Sequence, residues 1–302
     1  MYKDWPEDFP QVTSLVPYSA LRHNPDPEIQ DLYDQAKYHQ NIQAAVQLIK
    51  RLVINEGKEK VIEKIETISS AYPNAILVPV HAIEGRGKNK IPNALAGFIS
   101  EIGNLEVDMS IVQTDVVSKT GAKGSWYRLA HRPHFEGEVQ SGRQYIMVDD
   151  VFSAGGTFSE LRAFIENNDG SVVDTITMSN GSKSMNPQLS ITPFRILELE
   201  NKYGVESLQK FFKEEALYEG NYKALTDSEA RTLLGAASLN EARNRIAEAR
   251  QERIGRVREE MVQGEPPAVH EEETLNKSHN TTGNTKQQLK AAKKPGTKGR
   301  SR

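Results

Sequence analysis

Short β-branched runs alternating with amphipathic stretches predict an α/β protein on a doubly wound, mostly parallel sheet. Three observations carry the prediction. The runs Ala75–Val80, Val107–Val112, Tyr145–Val148 and Val172–Met178 have strand length and strand composition. Helical spacing separates them: Leu95, Phe98 and Ile99 share one face of Ile91–Ile102, and Phe158, Leu161, Phe164 and Ile165 one face of Thr157–Asn167. The 302 residues are ample to bury a core without a disulfide or metal staple.

The flanking elements follow the same logic. Pro6, Pro10, Pro17, Pro25 and Pro27 make residues 1–27 an extended lead-in. Ile29, Leu32, Tyr33 and Ala36, and then Ala45, Val46, Ile49, Leu52 and Val53, recur at helical spacing. Val61, Ile62, Ile65 and Ile68 mark a further helix that stops before Pro73. Pro79 lacks an amide donor and must close its strand. Residues 114–142 are polar and aperiodic. Beyond residue 200 the chain reads as helical: Val205–Tyr218, then a capping box, Thr226-Asp-Ser-Glu229, opening one long helix towards Met261. The expected division is a lead-in or hood segment over 1–37, an α/β domain over 38–200, a helical extension over 201–262 and a tail over 263–302.

Composition narrows the chemistry. Cysteine is absent, which removes thiolate nucleophiles, disulfides and thiolate-held metals. No apolar run is long enough to span a bilayer, and the acidic, aromatic start does not read as a secretory signal, so a cytoplasmic protein is expected. The net charge of −3 hides an asymmetry: residues 275–302 carry eight Lys and Arg and no Asp or Glu, leaving −11 on residues 1–274. That basic tail has too few apolar groups to offset the entropy of ordering, so it is expected to be disordered, a solubilising tail first and an electrostatic arm for nucleic acid second. Six Arg and five Glu line residues 241–260 along a thin apolar stripe, which reads first as a solvated helical face and then as a partner-binding segment.

The chemistry concentrates in residues 145–157, Tyr-Ile-Met-Val-Asp-Asp-Val-Phe-Ser-Ala-Gly-Gly-Thr. An apolar strand ends in two adjacent carboxylates, and a loop of small residues opens a helix. Ligands of open α/β sheets gather at the carboxyl ends of strands. Small residues let amides close around an anion, and the helix N-terminus adds its positive dipole end. Asp149 and Asp150 would repel that anion unless they faced something else, either sugar hydroxyls or a divalent cation. A ribose carrying a terminal phosphate satisfies both.

This segment resembles the signature of type I phosphoribosyltransferases, and the resemblance covers roughly residues 38–180. It implies a type I phosphoribosyltransferase-like sheet, with Asp149 and Asp150 on the ribose hydroxyls of phosphoribosyl pyrophosphate. Ser153, Ala154, Gly155, Gly156 and Thr157 would hold the 5′-phosphate. Ala154 lacks the hydroxyl common at its position. Ser153 stands where hypoxanthine-type members place an aspartate assigned to the base, which argues against a hypoxanthine-like acceptor. After the first strand, Glu84, Gly85, Arg86, Gly87 and Lys88 are similar to the family's pyrophosphate loop, with an Arg-Gly pair like that of its adenine-type members. Residues 115–140 stand where the family has a covering loop, and Lys123 and Arg128 are the cations preferred there for the leaving pyrophosphate.

The resemblance thus implies transfer of a phosphoribosyl group to a nitrogenous, purine-like base. Asp149, Asp150, Arg128 and Lys123 would be the catalytic residues, with magnesium at Asp149 and Asp150, directly or through water. Tyr18, Tyr203, Phe211 and Phe212 are acceptor-stacking candidates whose first expectation is a place in the core. A homodimer, and a nucleic-acid or protein partner at the C-terminal helix and tail, are left open. The alternative is a non-catalytic sensor of phosphoribosyl pyrophosphate or nucleotides, or an effector subunit of a phage-defence or mobile-element system.

Overall fold

In the computed structural model of the chain, residues 1–81, 89–114, 124–181 and 187–262 are described. The N-terminal segment forms β1 (Thr13–Ser14), α1 (Tyr18–Arg22) and α2 (Pro27–Tyr38), and the next helices are α3 (Ile42–Asn55) and α4 (Lys58–Ala71). Asp26 and Asn41 cap α2 and α3 by accepting the amides of Glu28 and Ala44. Then come β2 (Ile76–Pro79), α5 (Ile91–Gly103), β3 (Glu106–Val107), β4 (Val112–Gln113), α6 (Ser125–Ala130) and β5 (Phe135–Glu136). The chemistry-bearing unit is β6 (Gln144–Phe152), α7 (Gly156–Asn167) and β7 (Ser171–Asn180). The chain continues as α8 (Pro193–Tyr203), α9 (Val205–Glu214), two 3₁₀ turns (Tyr218–Gly220 and Tyr222–Ala224), α10 (Asp227–Leu234) and α11 (Leu239–Val262).

Five strands make one parallel sheet in the order β1-β7-β6-β2-β3. Strand alternation divides its side chains between two layers of helices. Leu77, Ile146, Val148, Ile176 and Met178 pack with the apolar faces of α2, α3, α4 and α5. Ile76, Val78, Tyr145 and Met147 pack with Phe158, Leu161 and Ile165 of α7, and this core runs on through Leu199, Leu208, Phe211, Phe212, Ala230, Leu233, Ala242 and Ile246. The sheet is therefore covered on both sides, which explains the almost unbroken apolar character of β2 and β6.

Pro79 is the last residue of β2, as its missing donor requires. The run Val107–Val112 is not one strand. Asp108 accepts the Ser110 amide at 2.7 Å, and the turn sends β4 into a separate antiparallel pair with β5. The polar stretch 114–142 holds α6, whose Leu129 is fully buried, and a helix this short shows no period in sequence. The capping box at Thr226 and Glu229 is present, but the helix it opens ends at Leu234, and α11 starts anew at Leu239. The basic tail lies outside the described residues. Among the described residues no helix is long and apolar enough to cross a membrane.

Asp174, on β7, is 6% exposed, and burial raises its carboxyl pKa to about 6 against the lowering effect of the Thr175 amide it accepts at 2.6 Å. A folded-state pKa above the unfolded value makes ionisation destabilising: the cost is absent below the unfolded pKa and complete above the folded one. Asp174→Asn should therefore raise stability at pH 7.5 by about 2–3 kcal/mol and change it little at pH 3.5. Urea unfolding at the two pH values checks this, and an equal effect at both would contradict it.

Candidate functional site

β6 runs between β2 and β7, and the acidic pair lies near its carboxyl end. Asp149 is in register with Thr177 of β7, and two residues earlier Met147 is in register with Val78 of β2. Alternation gives Asp150 the phase of Ile146 and Val148, the side covered by α2. There it meets Lys37, from the last turn of α2, whose ammonium is ion-paired to Asp150 Oδ2. Asp149 turns back on the strand and accepts the Asp150 amide at 2.7 Å.

The electrostatics of the pair follow. Burial and the neighbouring Asp150 charge push the Asp149 carboxyl well above its usual range. Burial works the same way on Asp150, but Lys37 outweighs it and holds that carboxyl below the usual range. Burial also works against the Lys37 charge, and Asp150 with Tyr33 outweighs it, so the ammonium is held more firmly protonated than usual. Tyr33 is pushed up to about 12 by burial and by Asp150, and its hydroxyl accepts from Arg22 at 3.1 Å.

The turn after β6 has the shape its small residues predict. Gly155 takes a left-handed conformation, φ +81°, and its carbonyl accepts the Ser159 amide that opens α7. A side chain at Gly155 would also stand 2.6 Å from Leu189 Cδ1 and 3.1 Å from Thr226 Cγ2, and one at Gly156 3.0 Å from Glu229 Oε1. Thr226, the cap of α10, donates its hydroxyl to the Ala154 carbonyl at 2.6 Å. Both glycines thus also answer to close packing against the start of α10, a reason the sequence does not disclose.

The structure therefore brings together Asp149, Asp150, Ser153, Ala154, Gly155, Gly156 and Thr157. Arg128 lies on α6, with its carbonyl oxygen 4.0 Å from where a Gly156 Cβ would stand and its Nε buried without a hydrogen-bond partner. Glu84, Gly85, Arg86, Gly87, Lys88 and Lys123 lie outside the described residues. The ends of the first segment are placed: Val80 donates its amide to the Val148 carbonyl at 2.7 Å, and Lys90 donates to the Ala36 carbonyl at 2.9 Å. Of the aromatic candidates, Phe211 and Phe212 are buried core residues, and Tyr203 donates its hydroxyl to the Leu233 and Ala236 carbonyls. Tyr18 stands beside Gly181, whose amide donates to the Phe152 carbonyl at 2.9 Å.

Two features escape sequence reading. Lys37 is eight residues after Ile29 and four after Tyr33, so it continues the buried stripe of α2, and a lysine in line with an apolar stripe is the signal that points to it. Arg132, just past α6, is the centre of a buried cluster beside the glycine turn. It donates to Glu160 Oε1 at 2.6 Å and to Tyr218 and Glu229, and its guanidinium lies 3.7 Å from the Tyr218 ring centroid. Tyr2 donates to Glu160 at 2.5 Å and Tyr218 to Glu229.

As a divalent-cation site the acidic pair is a poor fit. Asp150 is engaged by an ammonium and Asp149 by an amide, and among the described residues no three His, Cys, Asp or Glu side chains converge for a metal. Two cavities, of about 640 and 350 Å³, are lined by Tyr2, Tyr218 and Tyr222 and by Trp5, Ile191 and Leu197 respectively, away from the acidic pair.

No protein-family model matches the chain. It is 36% identical over 251 residues to Protein TraN of Escherichia coli, spanning 83% of this chain and 52% of that protein. It is 37% identical over 165 residues to an uncharacterized protein of Haemophilus influenzae, spanning 55% of this chain and 34% of that one. The chain thus spans about half the length of the first relative and a third of the second. Among solved structures it is similar to adenine phosphoribosyltransferase from Saccharomyces cerevisiae, at 13% identity and a TM-score of 0.27, over 40% of this chain and 67% of that one.

Gly155→Ala tests the turn. The left-handed conformation and the contact with Leu189 together should lower stability by about 1–3 kcal/mol, read as a lower urea midpoint with an unchanged slope. An unchanged midpoint would mean that the turn relaxes freely.

Proposed function

We propose that the β6–α7 junction binds a 5-phosphorylated pentose and that the chain transfers the phosphoribosyl group of phosphoribosyl pyrophosphate to a nitrogenous base. One observation carries the reading: two adjacent carboxylates at the carboxyl end of a central parallel strand lead directly into a left-handed glycine that opens a helix. In this reading Asp149 and Asp150 accept hydrogen bonds from the ribose hydroxyls. The amides of Ser153, Ala154, Gly155, Gly156 and Thr157 meet the 5′-phosphate at the positive end of α7. Glu84 to Lys88 take the diphosphate. In sequence they follow β2, the strand beside β6, and the described residues on either side, Val80 and Lys90, bond to Val148 of the acidic strand and to Ala36 of α2.

The reaction is a substitution at the anomeric carbon. A base nitrogen forms the new C–N bond, the C–O bond to the diphosphate breaks, pyrophosphate leaves with that electron pair, and the nitrogen's proton passes to solvent. Positive charge grows on the ribose ring and negative charge on the leaving group. Carboxylates near the ring and cations at the diphosphate would match that development, and Arg86, Lys88, Lys123 and Arg128 are the candidate cations. Magnesium belongs in this reading with the diphosphate, and no step here runs through it. A purine-like acceptor rests on the adenine-type Arg86-Gly87 pair, and Tyr18 at the rim of the site is the residue offered to its ring.

A second reading, ligand sensing without transfer, is favoured by a different observation. Thr226 of the α10 cap bonds the Ala154 carbonyl, so the C-terminal helices touch the proposed phosphate turn directly.

Phosphoribosyl pyrophosphate incubated with the chain and a panel of bases should release pyrophosphate with at least one purine-like base. Tight binding without release from any base selects the sensor. The double variant Asp149→Asn, Asp150→Asn should lose roughly a hundredfold or more in affinity for phosphoribosyl pyrophosphate while keeping its circular dichroism spectrum. Unchanged affinity would remove the site assignment.

A further inference from the structure

The acidic pair already has a cation. The Lys37 ammonium is fastened to Asp150, and one residue earlier the Ala36 carbonyl accepts the Lys90 amide at 2.9 Å. The end of α2 is thereby tied both to the acidic strand and to the residue group that follows the 82–88 segment. The Lys37 side chain is 26% exposed and that of Asp150 6%, so the ion pair is largely removed from solvent and little screened. Behind it stands a second cation: Arg22 donates to the Tyr33 hydroxyl, and its guanidinium lies 5.2 Å from the Tyr33 ring centroid.

Such a pairing solves the charge problem that the site poses. A phosphate at the start of α7, next to two carboxylates, meets like charge, and a cation must offset it. A divalent ion is one solution; an ammonium built into α2 is another. It also leaves room for the sugar. A carboxylate has about four lone-pair positions; Lys37, the Asp149 side chain and the Val151 amide bond that of Asp150, which leaves acceptor capacity for one hydroxyl. Lys37 is, moreover, placed by a long-range contact spanning 113 residues rather than by a local turn.

We propose that Lys37 is the resident cation of this site and that a phosphorylated pentose binds at the acidic pair without a divalent metal ion. The inference rests on the reading of the β6–α7 junction given above. Its test uses ribose 5-phosphate, which lacks the diphosphate to which magnesium would otherwise attach. Calorimetric titration of the full chain in EDTA and in magnesium-containing buffer should give affinities within about twofold of each other. Lys37→Met should weaken binding in EDTA by roughly tenfold or more and regain part of it with magnesium, whereas Lys37→Arg should keep most of the EDTA affinity. Thermal melting of both variants reports whether they fold. If Lys37→Met does not fold, the wild-type pair of titrations and the arginine variant decide. Wild-type binding that tightens tenfold or more with magnesium overturns the role of Lys37 and leaves the sugar-phosphate site standing. No binding of ribose 5-phosphate in either buffer overturns the site, and the inference with it.

Discussion

The buried cluster around Arg132 is the constraint on which the arrangement of this molecule depends. One guanidinium reaches Glu160 of α7, Tyr218 of the first 3₁₀ turn and Glu229 of α10, while Tyr2 closes the ring on Glu160. Five parts of the chain therefore share one hydrogen-bonded set of charges. Taking such groups out of water costs several kcal/mol per ion, offset here by the bonds of both terminal guanidinium nitrogens, while Arg132 Nε stays buried without a hydrogen-bond partner. Removing one partner leaves the others stranded, which is why the cluster favours one arrangement of these elements over looser alternatives. Glu229 also serves the capping box of α10, so the same carboxylate fixes a helix start and the seat of that helix against the glycine turn.

This packing gives the turn after β6 two jobs. Its conformation suits an anion, since a left-handed glycine and a helix start point amides outward. The absence of side chains at Gly155 and Gly156 also admits Leu189, Thr226 and Glu229. Sequence alone credits the glycines to the first job only. The helices beyond residue 200 are accordingly the wall against which the proposed site is built, and their apolar side chains share a core with the strands.

What was legible in the sequence is what local physics determines. Pro79 ends a strand because it lacks a donor, and Thr226 with Glu229 starts a helix because the two satisfy each other's amides three residues apart. The strand, acidic pair and glycine turn are consecutive, so their order survives without knowledge of the fold. Lys37 with Asp150 and Arg132 with Glu229 are separated by 113 and 97 residues, and nothing in the chain between them encodes the meeting. Short elements fail for another reason. The six residues of α6 and the two of β3 are stabilised by what they pack against, and a hydrophobic period cannot be read from so few positions.

The sheet ends on both sides in strands of only two residues, β1 and β3. Strands that short offer few main-chain groups of their own, and Val12, next to β1, already gives its amide to the Pro187 carbonyl; β1 meets the ten-residue β7 only at Ile176 and Thr177. At β1 and β3 themselves, side-by-side accretion of a foreign strand, the ordinary route to fibrils and to shared sheets between subunits, finds little main chain to join.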